Sequence, residues 1–293
     1  MNNGSENDWY TCESMNAREL FQHLVNQITL KVPEGERQAI IEWLLEDRLH
    51  LSRTDILTEK STDSSPEYFQ NDIRRLNAEE PLQYILGKAS FFGREFQVNP
   101  SVLIPRPETE LLISEVVKAV AKSKPLRVLD IGTGSGCIAI TLALELPLST
   151  VVATDIDTDS IRLASTNAIG HQAQVEFLHH DILHDSLPTG SWDVVVSNPP
   201  YIMQSERKGL DANVRKFEPD RALFVDDEDP LIFHRTIARK SKTGLHTGGL
   251  LIMEINERLG PPCADLLKNL GFVNVRLVHD LDGRDRFVVG TIH

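Results

Sequence analysis

The sequence predicts a doubly wound α/β domain, its sheet covered by helices on both faces and closed by an antiparallel strand pair, preceded by a small helical domain. Three observations carry this. From Leu126 onward, short apolar runs rich in valine and isoleucine alternate with helical stretches, the pattern of a mostly parallel sheet with crossover helices. The first of these runs passes into a glycine-rich turn that opens a helix. From Ala17 to about Asn77, by contrast, apolar residues recur at three- and four-residue spacing, with no strand pattern.

The helical part spans residues 1–82. Leu20, Phe21, Leu24, Val25 and Ile28 mark one amphipathic helix, and Ile40, Trp43, Leu44 and Leu49 a second. Pro33 and Gly35 punctuate them. Ser64 or Ser65 caps a third, with Pro66 in its first turn. The bundle contains no cluster of chemically active side chains and reads as a docking or scaffold module. Residues 83–105 follow as a linking β-hairpin, with Gly87 and Gly93 bracketing aromatic and β-branched residues. The α/β domain occupies residues 106–293. "RPETE" opens its first helix, with Pro107 early and Glu108 and Glu110 at the positive end.

Within that domain "LRVLD" is a strand and "CIAITLALEL" a helix. "VVATD" and "DSIRLASTNAI" repeat the unit. "VEFL" and "DVVVS" are further strands, "LIFHRTIARKS" a helix, "GLLIMEI" a strand and "CADLLKNLG" a helix. "FVNVRLVHD" and "RFVVGTIH" form the closing antiparallel pair.

Composition narrows the function classes. No apolar run approaches the roughly 18–20 residues that span a bilayer. The start, "MNNGSENDWYTCES", has neither the basic head nor the apolar core of a secretory signal. Cys12, Cys137 and Cys263 are far apart and odd in number, which fits a reducing compartment. A cytoplasmic location is therefore expected; a monomer without a metal is expected as well. The formal net charge of −13 argues against a large basic face for duplex nucleic acid, so no stable nucleic-acid complex is expected. His180 and His184, in "HHDILH", lack the HExxH pattern or cysteine partners of a zinc site and read as loop residues.

"VLDIGTGSGCIAI" places Gly132, Thr133, Gly134, Ser135 and Gly136 between a buried strand and a helix. Glycines permit positive φ and close approach of a ligand to the backbone, and the helix start offers free N–H groups. The alternate spacing departs from the dinucleotide pattern G-x-G-x-x-G, because Cys137 stands at the third glycine site. A P-loop would need Gly-Lys-Ser/Thr, which is absent. The acidic-x-Gly-x-Gly-x-Gly form resembles motif I of S-adenosylmethionine-dependent methyltransferases; a plain tight strand-to-helix turn is the alternative. Asp155 ends the next strand about 20 residues on, where an acid can accept both ribose hydroxyls of an adenosine ligand. Asp157 reads instead as a helix cap. In the methyltransferase pattern Asp181 contacts the adenine amino group and Ile182 packs on the ring.

The fourth strand, "DVVVSNPPYI", ends on Asn198. In open α/β sheets ligands bind at the carboxyl ends of strands near the switch point, so Asn198 faces the same ligand. A planar amide or exocyclic amine is a poor nucleophile that brings two N–H donors. The Asn198 side-chain oxygen and the Pro199 carbonyl can accept both. Pro200 removes a competing N–H and restricts Pro199 to extended backbone. Tyr201 offers a flat apolar face to the planar acceptor.

"DIGTGSG" with "NPPY" resembles the amino-methyltransferases. "PLQYILGKASFFGREFQVNPSVLIPRPETE" and "KFEPDRALF" further resemble the release-factor glutamine methyltransferase family (HemK/PrmC), over nearly the whole chain. That resemblance implies a class I, Rossmann-like methyltransferase domain and methylation of the glutamine amide in the Gly-Gly-Gln loop of class I peptide-chain release factors. It implies S-adenosylmethionine as cofactor, held by Gly132 to Gly136, Asp155, Asp181, Ile182 and Asn198. Asn198, Pro199 and Tyr201 would carry catalysis. Asn198 to Tyr201 would hold the glutamine, with Arg106 and Glu108 shaping the wall. The helical domain would help dock the release factor. Two other readings stay open: a nucleic-acid adenine or cytosine methyltransferase using the same pocket, and a binding adaptor without turnover. Arg207, Lys208, Arg215, Lys216 and Arg221 follow the motif, but Glu206, Asp211, Glu218 and Asp220 nearly balance them.

Overall fold

The computed structural model describes residues 15–121 and 123–293; the acidic amino-terminal stretch and Cys12 lie outside the described residues. The chain divides between Leu86 and Gly87 into two units.

The first unit is helical. Helix α1 (Ala17–Gln27) starts on a capping box in which the Asn16 side chain accepts the N–H groups of Arg18 and Glu19. Helix α2 (Glu34–Leu49) begins directly after Pro33, so Gly35 lies within its first turn rather than between two helices. The short α3 (Arg53–Leu57), α4 (Gln70–Asn77) and α5 (Leu82–Leu86) complete the unit. Its core joins Leu20, Leu24, Ile41, Leu44, Leu45, Phe69 and Leu76, all essentially inaccessible to water. Trp43, expected on the apolar stripe, is instead 55% exposed. Successive helical residues point about 100° apart, and the buried arc of α2 is centred on Ile41, Leu44 and Leu45. Arg48 ties helices together, its Nε donating to Asp72 at 3.0 Å and its Nη2 to the Ile85 carbonyl at 3.0 Å.

The second unit begins with a hairpin, β1 (Lys88–Phe91) and β2 (Arg94–Gln97), turned at Phe92 and Gly93. Both turn residues have positive φ, 50° and 69°, as a two-residue hairpin turn requires. Phe91 and Phe96 lie in the main core of this unit. After helix α6 (Glu110–Ala119) the α/β region runs β3 (Arg127–Ile131), α7 (Cys137–Glu145), β4 (Thr150–Asp155), α8 (Thr158–Gly170), β5 (Val175–His179) and β6 (Trp192–Ser197). A small excursion follows: β7 (Ile202–Met203), α9 (Ala212–Phe217), α10 (Asp220–Leu223) and β8 (Phe224–Val225). Then come α11 (Ile232–Gly244), β9 (Leu245–Glu254), α12 (Gly260–Asn269), β10 (Val273–His279) and β11 (Asp285–Thr291).

The main sheet has seven strands in the order β10-β11-β9-β6-β3-β4-β5. From β9 to β5 neighbours run parallel; β11 is antiparallel to both β9 and β10. Period-two alternation sorts the strand residues onto two faces. Val128, Val194, Val196 and Ile252 pack with α6 and α7 residues, while Leu129, Val195, Leu251 and Met253 pack with α11 and α12 residues. Burial on both faces is why these strands read as continuous apolar runs. The sheet grows from β3 toward β4 and β5, then reverses to β6 on the other side. The switch point therefore lies between β3 and β6, where Ile131 pairs with Ser197. The residues that follow, Gly132 and Asn198, leave the sheet side by side. No described helix is long and apolar enough to cross a membrane.

Candidate active site

The switch point opens into a cavity of about 420 Å³, within the roughly 300–1,000 Å³ of small-molecule sites. Its wall brings together Gly132, Thr133, Gly134 and Ser135 of the glycine loop, Asp155 from β4, Asp181 and Ile182 after β5, and Asn198, Pro199 and Pro200 after β6. Four stretches between 131 and 200 thus converge as the strand ends dictate.

All three loop glycines have positive φ. At Gly136 a second constraint applies: a Cβ would meet Ile140 at 2.9 Å and Ala164 at 3.0 Å, so this residue seats α7 against α8 and does not line the cavity. The loop is sutured to β4, the N–H groups of Gly132 and Thr133 both donating to the Thr154 carbonyl. Thr133 Oγ1 also donates to Asp130 Oδ2 at 2.7 Å. Burial pushes the Asp130 carboxyl up to about 7, against that hydrogen bond.

Asp155 receives the Gly134 N–H on Oδ2 at 2.8 Å and the Asp157 N–H on Oδ1 at 2.9 Å. Its carboxylate is locked in orientation with further lone pairs open to a ligand. Burial raises its pKa, opposed by these two N–H groups. Asp157 caps α8, accepting from the Ser160 N–H, and pairs with Arg221 at 2.6 Å. The fixed acid, the glycine backbone and the apolar Ile156, Ile182 and Phe233 around them suit a nucleoside: polar sugar edge on Asp155, flat base between aliphatic walls. Asp181 sits on the wall but is engaged by its own loop. Its Oδ1 accepts the Leu183 N–H at 2.9 Å and its Oδ2 contacts His184 Nδ1 at 2.7 Å. Burial pushes its carboxyl up, but these contacts outweigh it and hold the pKa below the usual value. His180 is buried and contacts the Ser186 carbonyl at 2.8 Å.

At the other end, Asn198 Nδ2 approaches Thr109 Oγ1 at 3.5 Å. Thr109 in turn donates to Glu254 Oε2 at 2.7 Å, and the Tyr201 hydroxyl donates to Glu254 Oε1 at 2.9 Å. Glu254 ends β9 and is only 2% exposed. Burial raises its pKa, against the two hydroxyls and the charge of Arg286. Burial, then the neighbouring Glu254, push the Tyr201 phenol well above its ordinary value. Tyr201 is therefore tethered by its hydroxyl and is outside the cavity lining, whereas the sequence reading had it presenting a ring face to the acceptor.

Arg106 lines the cavity, and its Nη2 meets Glu218 Oε1 at 2.5 Å. Glu218 also accepts the Ile104 N–H at 3.3 Å, so "LIPRP" and "KFEP" brace one another across the site. Glu108 is exposed and does not line the cavity; Thr109 does. In the 3-10 turn Pro107–Thr109 neighbouring side chains point about 120° apart, so an inward Thr109 sends Glu108 outward. Thr109, Glu218 and Glu254 are the site residues the sequence reading missed or left without a role. Glu254 carried a readable signal, the same one that singled out Asn198: a polar residue ending an apolar buried strand.

Comparison with known proteins agrees. The family model described as "Methyltransferase small domain" matches residues 107–215, and "PrmC N-terminal domain" matches residues 17–87. A methyltransferase from Pyrococcus furiosus superposes with a TM-score of 0.51 at 18% identity, over 76% of this chain and 98% of that one, and so shares the fold. Fold and site together define a methyltransferase with a Rossmann-like catalytic domain. Among curated relatives, the release factor glutamine methyltransferase of Bacteroides thetaiotaomicron is 44% identical over 75% of this chain and 78% of its own. That of Flavobacterium psychrophilum is 38% identical over 87% and 92%. The chain belongs to the release factor glutamine methyltransferase family.

Proposed function

We propose that the chain transfers the methyl group of S-adenosylmethionine to the side-chain amide nitrogen of the glutamine in the Gly-Gly-Gln loop of class I release factors. The observation that carries this reading is the placement of Asn198 and Pro199 in one cavity with the glycine loop and Asp155. A donor held at one end and a planar amide at the other meet where the two strand ends part.

When bound, S-adenosylmethionine supplies an electrophilic methyl group on a sulfonium centre. Asp155 would take its ribose hydroxyls, and Ile182 and Ile156 would flank its base. Asn198 Oδ1 and the Pro199 carbonyl accept the two N–H groups of the glutamine amide. Held by both, the nitrogen points its lone pair at the methyl carbon and is drawn out of conjugation with its carbonyl. The cofactor would supply the methyl group and leave as the neutral thioether, while Asn198 and Pro199 would hold the amide nitrogen as its excess N–H proton is lost to water. No strong base is needed before transfer, so catalysis rests on orientation and on fixed dipoles matched to the developing charge.

The basic residues after NPPY weaken the nucleic-acid reading, since several are engaged internally. Arg207 forms a two-pronged pair with Asp220 at 2.8 and 2.9 Å, and Arg221 is held by Asp157 and the Ser101 carbonyl. The test incubates the enzyme with methyl-labelled cofactor and either purified release factor or DNA. Label should enter the release factor and be lost when the loop glutamine is changed to alanine. Unchanged labelling of that variant, or robust labelling of DNA, overturns the reading.

A further inference from the structure

The acceptor end of the site contains a hydrogen-bond chain with a defined direction. Glu254 is buried, and both of its oxygens receive hydroxyl protons, from Thr109 at 2.7 Å and Tyr201 at 2.9 Å. A hydroxyl has one proton. Thr109 gives its proton to the carboxylate, the stronger, charge-assisted partner. What Thr109 can then offer Asn198 is an oxygen lone pair, and the Asn198 edge that meets it is Nδ2, at 3.5 Å. The orientation of an asparagine amide follows from its network, and here the network has one consistent solution, with Oδ1 left as the edge for the acceptor.

We propose that Glu254 is a positioning residue that sets the hydrogen-bond polarity of the acceptor pocket through Thr109, fixing Asn198 with its oxygen toward the substrate and so selecting an N–H₂ donor over an isosteric carboxylate. The proposal rests on the glutamine reading above and adds the origin of its selectivity. With Asn198 Oδ1 and the Pro199 carbonyl both presented, a glutamate in place of the substrate glutamine would face two acceptors with no proton to share. Without the buried carboxylate, the Thr109 proton turns to Asn198 Oδ1, the amide rotates, and Nδ2 is presented instead. The pocket then presents one donor beside the Pro199 carbonyl, and its preference for the amide over the carboxylate falls. Tyr201, anchored on the same carboxylate, holds the backbone of the NPPY loop while this choice is made.

The test uses the full-length enzyme, intact release factor, and release factor with glutamate replacing the loop glutamine, read as substrate and as competitive inhibitor. In Glu254→Leu, kcat for the glutamine factor should fall on the order of 10- to 100-fold, less than the 10²–10³-fold cost of removing a group that itself contacts the transition state. Cofactor binding should hold, and the glutamate factor should inhibit more tightly than it inhibits wild type. A residue that merely supported the fold would weaken both factors and the cofactor together, and that result overturns the proposal. So does unchanged preference for glutamine. Should Glu254→Leu fail to fold, Thr109→Val and Thr109→Ser carry the same test. Valine breaks the chain and should erode the preference; serine restores the hydroxyl and should recover it. Equal preference in these two variants overturns the proposal. If wild type itself does not methylate the release factor, the glutamine reading falls first and this inference with it. If wild type does and the variants keep their preference, the inference alone falls.

Discussion

The two ends of the cavity are built differently. At the β3–β4 end, ligand-facing groups come from backbone conformation and one carboxylate, over residues 131–157. Gly134 donates to Asp155, and the loop hangs from Thr154. At the β6–β9 end, orientation comes from side chains far apart in sequence. Thr109 meets Glu254 across 145 residues and Asn198 across 89, and Tyr201 meets Glu254 across 53. A nucleoside subsite can be a local motif because backbone N–H groups and one acid suffice. An acceptor subsite that must present a chosen edge of an amide needs partners that hold that amide, and the packed ends of neighbouring strands supply them.

The largest expected effect separates the ends outright. Asn198→Ala should lower kcat by on the order of 10²–10³-fold while calorimetric titration finds cofactor affinity nearly intact. A parallel loss of cofactor binding would mean that the ends are one unit. At the nucleoside end, Gly136→Ala should destabilise the protein by about 2 kcal/mol through overpacking against Ile140 and Ala164, with added strain because φ is +82°. Urea unfolding measures this, and an unchanged midpoint would show that α7 and α8 can separate freely. Asp155→Asn should weaken cofactor binding on the order of tenfold, since one backbone N–H then faces an NH₂ group and the ribose loses an anionic acceptor. Release-factor affinity should be untouched.

The smallest effect concerns His234, which contacts the Glu254 carbonyl from behind at 2.8 Å and is fully buried. Burial lowers its pKa from 6.5 to about 4, against that hydrogen bond. The folded state keeps it neutral where the unfolded chain binds a proton. Its contribution is thus complete above pH 6.5 and is lost as pH falls toward about 4. At pH 5.5 the loss is about 1 kcal/mol. Stability curves of wild type and His234→Asn should converge by this amount between pH 7.5 and pH 5.5; parallel curves would show that the histidine charges in place.

The strand–helix alternation and the geometry of the glycine turn were legible in the sequence. Gly132 to Gly136 announce a positive-φ turn, Asp155 ends a strand at the expected distance, and Asp157 caps α8. Asn198 was legible because an amide closing three valines has no packing reason to be there. Trp43 was misassigned because periodicity fixes a helix but not which part of a broad stripe faces inward. Glu108 was placed on the wall by resemblance alone; in the Pro107–Thr109 turn it is the neighbouring Thr109 that faces the cavity and Glu108 that faces outward.

By itself, then, the sequence determined the strand–helix alternation, the glycine turn and the identity of the residue at each strand end, since these follow from local backbone preference and burial periodicity. Only the tertiary structure decided that Thr109 and Tyr201 share the buried carboxylate of Glu254 behind Asn198. Hydrogen-bond direction is a property of a closed set of partners, and that set exists only once β6 and β9 lie side by side and the Pro107–Thr109 turn folds over their ends.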